Sequence, residues 1–206
     1  MNLRPHVRNL LLLTLVIPLA GCASAPTVHP AHYPFTAENW NGIDNVEFLA
    51  GIHLRDYSQL VMEPIDTSST PTPPLGDNTY APVVEMLGRM DGILARQAGI
   101  GLDGKLAVTT NKPERLEKAL LFRGEVMEIV PGSRAARFWV GFGAGSAWVR
   151  IHGVIVDAQS GNPLVRFTQR NVAAWGGFGE SYETVLTRCV EGIGRDMGRL
   201  LNTFKD

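Results

Sequence analysis

The chain is short of cysteine, of charge imbalance and of long apolar runs, and each shortage removes a class of explanation. Of 206 residues only Cys22 and Cys189 are cysteines, so neither a disulfide framework nor a Cys-x-x-Cys redox or zinc motif can be built. Lys and Arg number 19 against 20 Asp and Glu, a balance that argues against nucleic acid as a partner. The opening apolar run, Leu10 to Ile17, is about half of the roughly 20 residues that span a bilayer, and Pro18 interrupts its end. No later run is long enough. A Walker loop, a Gly-x-Ser-x-Gly elbow, a His-Glu-x-x-His helix and an acidic calcium loop are all missing.

What is present begins with an address. A basic n-region (Arg4, His6, Arg8), a short h-region and small residues before a cysteine form the layout of a secretory signal. Leu19-Ala20-Gly21-Cys22 resembles the bacterial lipobox, which implies cleavage before Cys22 and acylation of that residue. The lipobox resemblance implies several acyl chains, and two or more anchor a protein durably where one binds only marginally. By the sorting pattern of such lipoproteins, Ala23 and Ser24 in place of an acidic residue imply the outer membrane, with the protein facing the periplasm. Loss of Arg4 and Arg8 with the leader leaves 17 basic against 20 acidic residues. The lone remaining thiol, Cys189, is safe in an oxidising compartment only if buried.

Residues 22–39, rich in Pro, Ala, Thr and His, read as a flexible tether, and the folded domain is expected over 40–206. His29 and His32 read as two solvated linker histidines, since no third ligand lies at metal spacing. Tyr57 to Glu63 has strand character and ends at Pro64 in a long Pro-rich loop that is either a crossover or an insert. Val83, Leu87, Met90 and Leu94 then recur at helical spacing, and the helix ends near Gly99-Ile100-Gly101. Lys105 to Thr109 is a short strand, and Pro113 to Lys118 a turn or cap. Ala119 to Val130 and Ala147 to Val156 alternate as half-buried strands. Asp157 to Asn162 is a hairpin turn with Gly161 free to take positive φ, and Pro163 to Val172 returns as its partner. Tyr182 to Phe204 is an amphipathic helix capped by Ser181, with Cys189 on its apolar stripe. The expected fold is a single α/β (α+β) domain: a mostly antiparallel sheet with two principal helices on one face.

The best site candidate is the run Gly132-Ser-Arg134-Ala-Ala-Arg137-Phe138-Trp139-Val-Gly141-Phe142-Gly143-Ala-Gly145. Together with the following apolar strand and Val156-Asp157-Ala-Gln-Ser-Gly161, it resembles the DUF4410 family of uncharacterised bacterial lipoproteins, over roughly Tyr57 to Leu201. The resemblance implies an envelope lipoprotein and supplies no catalytic residue. Three readings of the glycines stay open. As a phosphate cradle they lack the Lys-Ser/Thr of a P-loop and precede a strand instead of a helix. As an interface, Arg134, Arg137, Phe138, Trp139, Gly141, Phe142, Gly143 and Gly145 offer the aromatic and arginine anchors favoured in protein contacts. As plain structure they form a packed or bulged turn between strands. A second cluster, Trp175-Gly-Gly-Phe178-Gly179, precedes the last helix and strengthens the interface reading if it adjoins the first. His152 is a lone strand imidazole, and Glu125 and Glu128, three apart in a strand, are expected on opposite faces and so not as a carboxylate pair. The expectation is therefore a non-enzymatic lipoprotein without metal or cofactor. It meets the membrane through acylated Cys22 and acts on an envelope protein or as a homo-oligomer. The alternative is a binder of a small lipid or glycan; an enzyme without a recognisable motif is the remote one.

Overall fold

The computed structural model describes residues 33–111, 116–133, 145–173 and 180–204. In chain order these form strands β1 (Phe35–Trp40) and β2 (Ile43–Phe48), a short 3-10 turn (Leu54–Asp56), β3 (Gln59–Met62), helix α1 (Tyr80–Gly101), β4 (Ala107–Thr109), β5 (Ala119–Val130), β6 (Ala147–Asp157), β7 (Pro163–Ala173) and helix α2 (Tyr182–Asn202). The seven strands make one sheet in the order β1-β2-β7-β6-β5-β3-β4. Pairing is antiparallel from β1 through to β5, while β3 runs parallel to both β5 and β4. The two helices lie on one face, so the mixed α+β domain read from the sequence is the fold observed.

One boundary differs. The expected tether runs to Asn39, yet the sheet already begins at Phe35, and 35–39 belong to the domain. The cause is local: Phe35, Ala37 and Trp40 pack against the core, and Asn41 and Gly42 both hold positive φ (49° and 91°) in the two-residue turn to β2. That backbone matches the twist of a hairpin. Phe35 stacks on Phe48 at 4.9 Å, and Trp40 and Phe204 meet Phe48 edge-on, which fastens the hairpin to the end of α2.

The β3-to-α1 loop is a crossover and is pinned at several points. Asp91 accepts from the Ile65 amide at 3.0 Å, and the buried Thr70 hydroxyl donates to the Val126 carbonyl at 2.8 Å. Asp77 accepts from both the amide and the hydroxyl of Thr79, at 2.7 and 2.6 Å, at the start of α1. Ser181 accepts from the Thr184 amide at 3.1 Å and caps α2 as its sequence position predicts.

α1 and α2 run parallel, with Arg89 beside Glu183, Arg96 beside Glu191 and Gly101 beside Gly198. Their seam is glycine-lined by necessity. A Cβ on Gly198 would sit 2.3 Å from the Ala98 carbonyl oxygen, and one on Gly101 2.3 Å from that of Arg195. Between helices and sheet lies a core that includes Met86, Met90, Leu94, Phe122, Ile151, Phe167, Leu186 and Cys189. Burial pushes the Cys189 thiol up to about 11, so it stays protonated and inert at neutral pH. On the opposite face, among the described residues, a small patch is closed by Val61, Ala119, Leu121 and Val156. Elsewhere that face carries cross-strand ion pairs Arg166–Glu47, Arg150–Glu128 and Arg123–Glu63, along with Trp148 and the exposed Val172.

Candidate functional site

Register fixes where the connections holding the two glycine and aromatic segments leave the sheet. Val130 pairs with Trp148, and Ala147 pairs with Ala173, so the β5–β6 and β7–α2 connections depart from the same end. The Ser133 amide donates to the Gly145 carbonyl at 3.0 Å and continues the ladder beyond the strands. Gly132 and Gly145, with φ of 73° and 72°, occupy backbone that other residues rarely adopt. Of the proposed contact residues, Gly145 therefore sits just before β6, paired with Ser133 beyond the end of β5. Arg134, Arg137, Phe138, Trp139, Gly141, Phe142 and Gly143 lie outside the described residues, as do Cys22, the residue expected to be acylated, and residues 174–179.

The same end receives the start of both helices. Asp77, Asn78 and Thr79 before α1, Val130 to Ser133 after β5 and Tyr182 at the start of α2 line an open groove of about 690 Å³. Nothing in the sequence brings these three stretches together, because the contacts are between residues some 50 positions apart. The groove wall holds one carboxylate, hydroxyls, an amide and an aromatic ring. Hydrogen bonds from the Thr79 side chain and amide hold the Asp77 carboxyl below the ordinary aspartate value, so it is ionised at neutral pH. Beside the groove Arg188 is paired with Glu180, and Arg89 reaches both Glu183, at 2.9 Å, and Thr187.

On the open sheet face next to this end, the Arg170 guanidinium lies 4.9 Å from the centre of the Trp148 ring, whose Nε1 donates to Glu128 at 3.2 Å. Glu125 and Glu128 share that face, contrary to the expectation from their spacing. A bulge between Val126 and Glu128 sets Glu125 opposite His152 and Glu128 opposite Arg150, so one extra residue restores the same side. His152 has its Nδ1 3.5 Å from the Thr168 hydroxyl, a weak contact of a sheet side chain. Among the described residues no group of three His, Cys, Asp or Glu side chains could hold a metal ion, and no helix is long and apolar enough to cross a membrane.

At the far end of the sheet, the Tyr57 hydroxyl donates to Asp157 at 2.9 Å, and burial with this bond pushes the phenol up to about 12. Asp157 also accepts from Ser160, closing the β6–β7 turn in which Gly161 takes φ of 75°. This end is built for closure of a turn.

Several solved structures are similar to the chain, three of them as follows. A PelC dodecamer from Paraburkholderia phytofirmans shares 17% identity with a TM-score of 0.47, covering 73% of this chain and 96% of that one. A DUF330-family protein from Xanthomonas campestris shares 10% with a TM-score of 0.42, covering 70% and 84%. A Caulobacter crescentus CB15 protein, provisionally a lipoprotein, shares 15% with a TM-score of 0.30, covering 67% and 90%. Likeness at this level says nothing about shared function. No curated protein matches. The family model described as "Domain of unknown function (DUF4410)" matches residues 97–177, a stretch that holds the whole glycine and arginine run, and over it the chain carries the DUF4410 resemblance read from its sequence.

Proposed function

We propose that this chain is a lipid-anchored envelope protein, held on the outer membrane by acylated Cys22 and facing the periplasm, which works by protein contact and not by catalysis. The contact is with an envelope partner or with further copies of the chain. One observation carries the reading: the β5–β6 and β7–α2 connections leave the sheet at the same end, where the two helices also begin. Both of these connections carry aromatic residues in the sequence, and one carries arginines, the residue types that anchor protein contacts. The anchor enters elsewhere. β1 runs in the same direction as β7, because both are antiparallel to β2, so Phe35 lies at the end away from the loops. The residues between Cys22 and Phe35, extended at about 3.3 Å each, reach roughly 40 Å. A chain that enters the sheet at one end leaves the other end free to meet a partner.

The groove favours a second reading, a small-ligand site for a lipid or glycan, since its volume of about 690 Å³ falls in the range of small-molecule pockets. Native mass spectrometry of the detergent-extracted lipoprotein separates the two. A multimer or a heteromeric mass supports the contact reading, whereas a monomer retaining a small mass replaces it with the pocket. For the anchor, Cys22→Ser releases the protein from membranes on fractionation; continued firm attachment refutes it.

A further inference from the structure

The outward face of α1 carries Ala81, Val84, Glu85, Gly88, Gly92 and Arg96 at helical spacing, opposite the buried Val83, Met86, Met90 and Ile93. Val84 is 43% exposed, and the Glu85 and Arg96 side chains are 62% and 61% exposed. The charges on this face are placed within one residue of symmetry about the point midway between Gly88 and Gly92: Glu85 lies five positions before it and Arg96 six after. We infer that this face is an interface between two copies of the chain, with their α1 helices antiparallel and crossing at Gly88 and Gly92.

Charge complementarity selects this occupant. An antiparallel second copy brings its Arg96 level with Glu85 to within about 1.5 Å along the axis, and the two-fold repeats the pair in reverse. A parallel copy in register would set Glu85 against Glu85. Each charge already ends a line within its own chain: Glu183 to Arg89 at 2.9 Å and Arg89 to Glu85 at 3.7 Å on one side, Arg96 to Glu191 at 3.2 Å on the other. The crossing joins them into one run of alternating sign, from Glu183 through Arg89 and Glu85 to the second copy's Arg96 and Glu191. The two-fold makes this run twice.

The glycines fit the same geometry. A Cβ on Gly88 or Gly92 would have nothing within 4 Å, so the fold itself does not ask for glycine there. Each costs a helix interior about 1 kcal/mol relative to alanine. At a crossing they let two helix axes come closer than the usual 8–10 Å or so, while Val84 adds apolar area on the side away from the charges. This contact depends on neither the lipid anchor nor the loop-end surface, and its failure would leave both untouched.

A photo-reactive residue at Val84 in the full-length chain in cells tests it. The expected product has twice the chain's mass, with the adduct mapping to the second copy's α1 between Gly92 and Gly99. Glu85→Arg lowers its yield about tenfold, two attractive exposed pairs becoming repulsive, and Glu85→Arg with Arg96→Glu restores most of it. Gly92→Leu abolishes the product while the thermal midpoint holds or rises, since leucine is the better helix former. A product with another protein alone, no product at all, or a yield indifferent to Glu85→Arg overturns the inference.

Discussion

Two groups of glycines on the same helix pair look alike in the sequence and differ in what surrounds them. Along the α1–α2 seam, Gly101, Gly194 and Gly198 each have backbone within 3 Å of where a Cβ would stand. On the outward face of α1, Gly88 and Gly92 face open space. The first group is explained from inside the chain: two parallel helices approach so closely that carbonyl oxygens occupy the side-chain volume. For the second group the fold offers no reason, which is why a second copy is the natural place to look. Glycine in a helix permits close approach, and at the seam that approach is made within the chain.

The comparison breaks most easily at the seam. Gly198→Ala puts a methyl 2.3 Å from the Ala98 carbonyl, backbone on a neighbouring helix that cannot step aside alone. A loss of about 3 kcal/mol or outright failure to fold is expected, read from urea midpoints. A variant as stable as the parent would mean that the helices slide apart freely. On the outward face the sign reverses. Gly88→Ala and Gly92→Ala each gain about 1 kcal/mol in the monomer, measured at concentrations low enough to exclude dimers; a loss there would show these positions packed within the chain. Of similar or slightly smaller size, Ser181→Ala removes the cap of α2 and costs about 1 kcal/mol, leaving the seam intact.

The smallest effect concerns the other flank of α2. Gln169, 2% exposed, accepts from the Asp44 amide and donates to the Gly42 carbonyl and to Asp196 at 3.0 Å. Burial raises the Asp196 carboxyl above its ordinary 3.8, against the pull of Arg199. A raised folded-state value means that this group's stabilising contribution is whole below 3.8 and is lost as pH rises through the raised value. Asp196→Asn keeps an acceptor for Gln169 and has no charge to bury, so it gains on the parent as pH climbs from about 4 to 7. Urea midpoints at stepped pH check this. A difference that stays flat would place Asp196 in water.

Local chemistry was legible wherever one residue decides. Ser181 caps its helix, Gly161 takes positive φ, and Cys189 is buried on the apolar stripe of α2, each as its sequence position implies. The β1–β2 hairpin escaped although Asn41-Gly42 between two alternating runs is a strong turn signal; the Pro- and His-rich stretch before it drew the boundary of the tether too far. The bulge at Met127 left no mark either, since an inserted residue changes register without changing composition, and it moved Glu128 to the side of Glu125. The groove depends on three distant stretches meeting at one end, which only the parallel seating of α1 and α2 brings about. The family resemblance was visible in the glycine and arginine run and is matched over residues 97–177.

That the loop end is the working surface can be tested by comparing the two ends of the sheet in cells. Photo-reactive residues at Trp139 and Phe142, in the β5–β6 connection, are set against one at the exposed Gln159 in the β6–β7 turn. The account predicts a discrete crosslinked product from Trp139 and Phe142 and none from Gln159. Products from Gln159 with nothing from the loop would contradict it.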